Sequence, residues 1–118
     1  MTNPNAAKGA KFERDIRTYL AEVHGRAVRR PHQEGTKDVG DLHISPFVLQ
    51  AKNWADTATA LRVGVAGAEL QATHAGEPFG AAVLKARGRP IAEARVAMSL
   101  ATFRALLYLL NRQEFPRA

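Results

Sequence analysis

The chain reads as a single α/β domain in which helices flank a central mixed β-sheet, in the order αβββαββα. Three observations predict this. Apolar stripes at helical spacing open and close the chain, short apolar runs bounded by Gly, Pro and Ser lie between them, and 118 residues suffice for one core but not two. The domain is expected to take in residues 1–118, with 1–6 and 113–118 as flexible polar ends.

Residues 5–24 predict the first helix, because Phe12, Ile16, Tyr19, Leu20 and Val23 recur on one face and Gly25 ends it. "RAVRR" then suits a short strand, and the proline and glycines of "PHQEGTKDVG" mark an ordered loop. "DLHI" and "FVLQAKNW" are the next two strands, joined through Ser45-Pro46. Residues 58–75 predict a helix with Leu61, Val65, Ala68 and Leu70 near one side, weakened by Gly64 and Gly67. "GEPFGAAVLKA" offers a turn and a strand, "RGRP" a turn and "AEARVAMSL" a last strand. The final helix carries Leu100, Phe103, Leu107 and Leu110 on one face, widened by Leu106 and Leu109. It is expected to serve first as core, and its two-sided apolar surface also suits a dimer interface.

Charge narrows the function classes. With 17 Lys and Arg against 11 Asp and Glu, the chain carries a net +6 and a pI near 10.3, which favours a polyanionic partner. Lys8, Lys11, Arg14, Arg17, Arg26, Arg29 and Arg30 form one basic group, and Lys85, Arg87, Arg89 and Arg95 a second. Solvated faces that keep a small protein soluble are the alternative reading. The absence of cysteine excludes disulfides, thiolate zinc sites and cysteine nucleophiles, and suits a reducing compartment. The N-terminus lacks the apolar core of a secretory signal, and no apolar run approaches the roughly 18 residues of a membrane span. A soluble protein of the cytoplasm is expected, or of the host cytoplasm if it is viral.

The stretch "GDLHISPFVLQAKN" carries the chemistry. With Ser45-Pro46 as a two-residue hairpin loop, Ile44 pairs with Phe47, His43 with Val48, Leu42 with Leu49 and Asp41 with Gln50. Asp41, Gln50 and Lys52 then share one face, whereas a slip of one residue would spoil the register. Such a set can hold a divalent metal and a phosphate together. Asp41 supplies an anionic oxygen, Gln50 a neutral one, and Lys52 a positive charge near the attacking water or the phosphate oxygens. Mg²⁺ suits one or two carboxylates completed by water and substrate oxygens, and would both activate water and offset charge on phosphorus. Three polar residues on the solvent face of a hairpin would look the same on paper.

"KGAKFERDIRTYL", "GTKDVGDLHI" and "FVLQAKNW" together resemble the PD-(D/E)XK nuclease superfamily, and within it the small Holliday-junction resolvases of archaea and their viral relatives. The resemblance covers residues 8 to about 75. It implies a restriction-endonuclease-like form of the fold, with Glu13 matching the glutamate of the first helix, Asp41 the metal-binding aspartate, and Gln50 and Lys52 the E-x-K pair. Gln50 departs from the usual glutamate, a known variant that removes one charge from the metal site. The resemblance further implies Glu13, Asp41 and Gln50 as metal ligands, Mg²⁺ as cofactor with Mn²⁺ as a substitute, and a role for a loop hydroxyl, which Thr36 matches. Taken without the motif, Glu13 suits an ordinary i,i+4 pairing with Arg17.

Lys8, Lys11, Arg14, Arg29 and Arg30 are candidates for phosphate contacts that position DNA rather than read bases. His32 and His43 lack a partner at ligand spacing, His24 and His74 suit helix C-termini, and Trp54 with Phe47 suits sheet packing better than base stacking. The expectation is a metal-dependent endodeoxyribonuclease, selective for four-way DNA junctions, nicking them in pairs as a homodimer. Another nicking or restriction-like enzyme of the same superfamily is one alternative. A DNA-binding module without catalysis is the other, and the neutral Gln50 speaks for it.

Overall fold

The computed structural model describes residues 4–24 and 42–112, with side chains over 7–22 and 42–112. These residues form one α/β domain. Helix α1 (Pro4–His24) is followed by strands β1 (Leu42–Ile44) and β2 (Phe47–Lys52), helix α2 (Thr57–Ala75), strand β3 (Phe79–Leu84), a 3-10 turn (Ile91–Glu93), strand β4 (Arg95–Ala97) and helix α3 (Leu100–Leu110). Among the described residues the sheet has four strands in the order β1-β2-β3-β4. The strand expected at residues 26–30 and the loop after it lie outside the described residues.

The sheet is mixed for a topological reason. A two-residue loop can only return the chain antiparallel, as between β1 and β2, whereas a crossover through α2 brings β3 back parallel to β2. β4 then pairs antiparallel with β3. All six residues of β3, "FGAAVL", are buried, as a strand covered on both faces requires.

Each face has its own helix. Phe12 and Ile16 of α1 pack with Leu42, Leu49, Ala81 and Val83, which makes Phe47, Leu49 and Ala51 the α1 side of β2. The opposite side, Val48, Gln50 and Lys52, faces α2, where Ala60 packs with Ala82 and Leu84. The residues of α2 that reach the sheet are small: Ala60, Gly64, Ala68 and Ala72 are buried along one stripe, with Gln71 beside them. Leu61 and Leu70, expected on the buried side, are exposed. The reason is a very close helix-to-sheet approach: a Cβ on Gly80 of β3 would collide with the backbone carbonyl of Ala68. No leucine fits in so narrow a gap.

Helix ends follow their local chemistry. Asp56 caps α2, accepting from the Thr59 N–H at 3.2 Å and the Thr59 hydroxyl at 2.7 Å. Gly76 closes the same helix in the left-handed region, φ 73°, which glycine enters without a Cβ penalty. Ser99 caps α3, accepting from the Thr102 N–H at 3.1 Å. The Ser99 cap corrects the expected last strand, which covers Arg95–Ala97 alone, because Ile91–Glu93 turns as a 3-10 helix and α3 begins directly after Ser99.

A second correction concerns α3, expected to be core. None of its residues is buried, and Leu100 is 80% and Tyr108 70% exposed. The helix meets the rest of the domain near its start, where the Thr102 hydroxyl donates to Glu69 of α2 at 3.3 Å. No helix among the described residues is long and apolar enough to cross a membrane.

Two outcomes follow. Gly80→Ala forces α2 away from β3 and should cost at least about 1–3 kcal/mol, read as a lower urea midpoint. Hydrogen bonds from the Thr59 hydroxyl and then the Thr59 N–H hold the Asp56 carboxyl below the usual carboxylate range. A carboxylate with a lowered folded pKa stabilises above its unfolded pKa of about 3.9 and loses that contribution as pH falls through the folded value. Asp56→Ala should therefore melt below the wild type at neutral pH, and the two melting curves should converge in acid.

Candidate functional site

The hairpin count from Ser45-Pro46 holds over its described length. Ile44 pairs with Phe47, His43 with Val48 and Leu42 with Leu49. Asp41, the residue the count sets against Gln50, lies outside the described residues, as do Arg29, Arg30 and Thr36. The described part of the expected site is therefore Gln50 and Lys52 on β2, with Glu13, Lys8, Lys11 and Arg14 on α1.

Gln50 and Lys52 share the α2 side of β2, each beneath a glycine of the helix. A Cβ on Gly67 would lie 2.7 Å from Nε2 and 2.9 Å from Oε1 of Gln50, and one on Gly64 would lie 3.2 Å from Cγ of Lys52. The two glycines that weaken α2 as a helix are the places where it admits these side chains. Gln50 is only 8% exposed, and its Oε1 has no hydrogen-bond donor among the described residues. Leaving a buried acceptor unpaired costs about 1–3 kcal/mol, so such an atom calls for an explanation, of which a bound water or ion is one.

Lys52 is half-buried, and its ammonium stands 4.5 Å from the centroid of the Trp54 ring. The contact is worth about 0.5–1 kcal/mol at an exposed site and favours this position of the ammonium. Trp54 departs from its expected packing role. Phe47 stacks instead on Phe79, with centroids 5.1 Å apart, and Trp54 remains 43% exposed.

Glu13 is half-buried on α1 and engaged in an interaction of its own. Its neighbours Phe12 and Ile16 pack on the Leu49 face, opposite that of Gln50 and Lys52. Lys8, Lys11 and Arg14 are exposed, and Lys11 pairs with Asp15 at 2.8 Å. His43 lies across from Val48, on the Gln50 side of the sheet, and His74 occupies the last turn of α2.

A hard divalent cation takes oxygen ligands, and the undonated, buried Oε1 of Gln50 fits that requirement, as the ammonium of Lys52 fits a phosphate oxygen. Among the described residues no three His, Asp or Glu side chains gather closely enough to hold a metal ion. The anionic share of such a site would have to come first from Asp41, because α1, which carries Glu13, covers the opposite face of the sheet.

Two features escape a reading by residue type. One is the pairing of Gly64 and Gly67 with Lys52 and Gln50. Its trace in the sequence is a pair of glycines three apart, following a Q-x-K strand. The other is a groove of about 510 Å³ beside Trp54, lined by Lys85, Arg87, Arg89 and Arg95. The density of cations in "KARGR" is its trace. Compared with known proteins, the chain matches no family model, no curated protein and no solved structure.

Removing the orphan oxygen tests whether Gln50 serves the fold. Gln50→Met keeps the volume and deletes the unpaired acceptor, so stability should hold or rise by up to about 1–3 kcal/mol in urea unfolding. In Gly67→Ala the new methyl meets only the free end of Gln50, while helix propensity improves by roughly 0.5–1 kcal/mol. Its net stability should change by less than about 1 kcal/mol, with the Gln50 side-chain amide resonances displaced in the NMR spectrum.

Proposed function

We propose that the chain is a Mg²⁺-dependent, structure-selective endodeoxyribonuclease of the PD-(D/E)XK type with a restriction-endonuclease-like fold, acting on four-way DNA junctions as a homodimer in the cytoplasm. The observation that carries this reading is the placement of Gln50 and Lys52. A buried oxygen without a donor and an ammonium held by an indole stand two residues apart on one face of β2. The net charge of +6 supports a polyanionic substrate.

Gln50 Oε1 and Asp41 are the oxygens that would hold Mg²⁺, with Mn²⁺ as a substitute, and Glu13 would join them only by reaching round the sheet from the face that α1 covers. When bound, the ion supplies Lewis-acid chemistry at the scissile phosphate. Lys52 orients the attacking water or a non-bridging oxygen of the phosphate, and its charge offsets the negative charge that develops on phosphorus. Trp54 restricts where that ammonium can sit. Lys8, Lys11, Arg14, Arg29, Arg30 and Thr36 would contact the backbone, giving affinity that falls steeply with salt. The exposed leucines of α3 support a second copy across a symmetric junction, so that two sites nick opposite strands.

The neutral Gln50 favours a second reading, a DNA-binding module that keeps the fold without catalysis. Incubation with labelled four-way junction and matched linear duplex, each with and without Mg²⁺, separates the two. The nuclease reading expects paired symmetric nicks in the junction only with metal, and at least a hundredfold loss in Lys52→Ala, on the scale of a lost charge-stabilising group. Binding in Mg²⁺ and Mn²⁺ with no nick would favour the module. Cleavage of linear duplex as fast as junction would favour a restriction-like enzyme, and undiminished cleavage by Lys52→Ala would remove the catalytic role of that residue.

A further inference from the structure

β2 and β3 are parallel, so their carboxyl ends open on one side of the sheet, beside the start of α2, where ligands settle in open α/β sheets. The groove at this end is lined by Trp54, Leu61, Lys85, Arg87, Arg89 and Arg95, and has a volume of about 510 Å³. None of its described lining residues is acidic. Glu93 approaches Arg89 from outside, at 3.4 Å between two exposed side chains, a contact that neutralises little. The strand register sharpens the pattern, since Lys52 pairs with Leu84 and Leu84 with Arg95. Two cations thus flank an apolar floor on one face of three adjacent strands. The groove between α1 and the turn before β4 differs, because Asp15 and Glu22 line it with Lys11; Lys85 and Arg89 border both grooves, whereas Arg87 and Arg95 line the acid-free one alone.

We propose that the acid-free groove binds an unpaired DNA strand, with one base stacked on Trp54 and the neighbouring phosphates held by Arg87, Arg89 and Arg95. The Lys52 ammonium takes one position over the indole, and 43% of the residue's surface is still open to solvent. An exposed aromatic beside a cationic track is the arrangement that holds single strands: the ring takes the base and the cations take the backbone. A duplex cannot use it, since its bases are already stacked on one another. An acidic peptide would satisfy the cations but leave the indole without a planar partner. The site needs neither metal nor Gln50, although it shares Trp54 with the proposed seat of the Lys52 ammonium.

Trp54 is the chain's one tryptophan, so its emission reports on this groove alone. The experiment titrates the full chain, in EDTA so that no cleavage intervenes, with a short oligothymidylate, an abasic strand of equal charge, the matched duplex and polyglutamate. Oligothymidylate should quench the indole and bind roughly tenfold or more tightly than the abasic strand. Trp54→Ala should lose that preference and Trp54→Phe should retain most of it, both followed by anisotropy of labelled DNA. Arg87→Ala and Arg95→Ala are surface changes that leave folding alone, and each should reduce the salt slope by about 0.7. Unquenched emission at saturating oligothymidylate, equal affinity for the abasic strand or the duplex, or polyglutamate binding as tight as DNA would each overturn the proposal. None of these outcomes bears on whether junctions are nicked in Mg²⁺.

Discussion

The seat of α2 on the sheet is the constraint from which the other features follow. Gly80 of β3 lies directly against the Ala68 backbone, and Gly64 and Gly67 extend the close approach over β2. Interiors pack to crystal-like density, so a helix brought so near can present only glycine and alanine along its buried stripe. The arrangement fixes β2 and β3 as parallel neighbours and gives β3 its second cover. It also removes the far face of β2 from water, which is why Gln50 is buried and Lys52 half-buried in the first place.

That burial gives the amide at position 50 a physical sense. A carboxylate held there without a donor would carry a large desolvation penalty and a pKa driven upward until it gained a cation. The amide of Gln50 bears a far smaller penalty and leaves one oxygen unsatisfied beneath Gly67. A neutral side chain and a tightly seated helix are thus compatible in a way that a permanent acid and the same helix are not. The consequence for a metal is weaker attraction from this residue, so the carboxylates that complete the proposed site matter more.

The two basic groups of the sequence prove to be different in kind. On α1 the cations alternate with Glu13, Asp15 and Glu22, and Lys11 is already paired. Lys85, Arg87, Arg89 and Arg95 meet around a groove whose own lining has no acid, next to an exposed tryptophan, although Lys85 and Arg89 also border the groove of Asp15 and Glu22. Charge excess alone cannot distinguish a solvated face from a recognition surface; convergence on a concave, partly apolar site does. The apolar excess of α3 contrasts with both, since the helix has no buried residue and keeps several leucines exposed.

Much of the framework was legible in local chemistry. The stripe of Phe12, Ile16 and Leu20 and the Ser45-Pro46 hairpin depend on residues a few positions apart, and the structure keeps them, whereas Ser99, expected in a strand, caps α3. Because side chains alternate along a strand, the hairpin register also determined that Gln50 and Lys52 share one face and Leu49 the other. Tertiary structure alone decided what covered that face. Leu61 and Leu70 outrank Gly64 and Gly67 on any hydrophobic scale, yet the glycines are the residues that meet β2, because the separation of helix and sheet selects for size before hydrophobicity. The same holds for Trp54, Arg87 and Arg95. They are distant in sequence and converge only because α2 carries the chain across from β2 to a parallel β3 and β4 then folds back beside it.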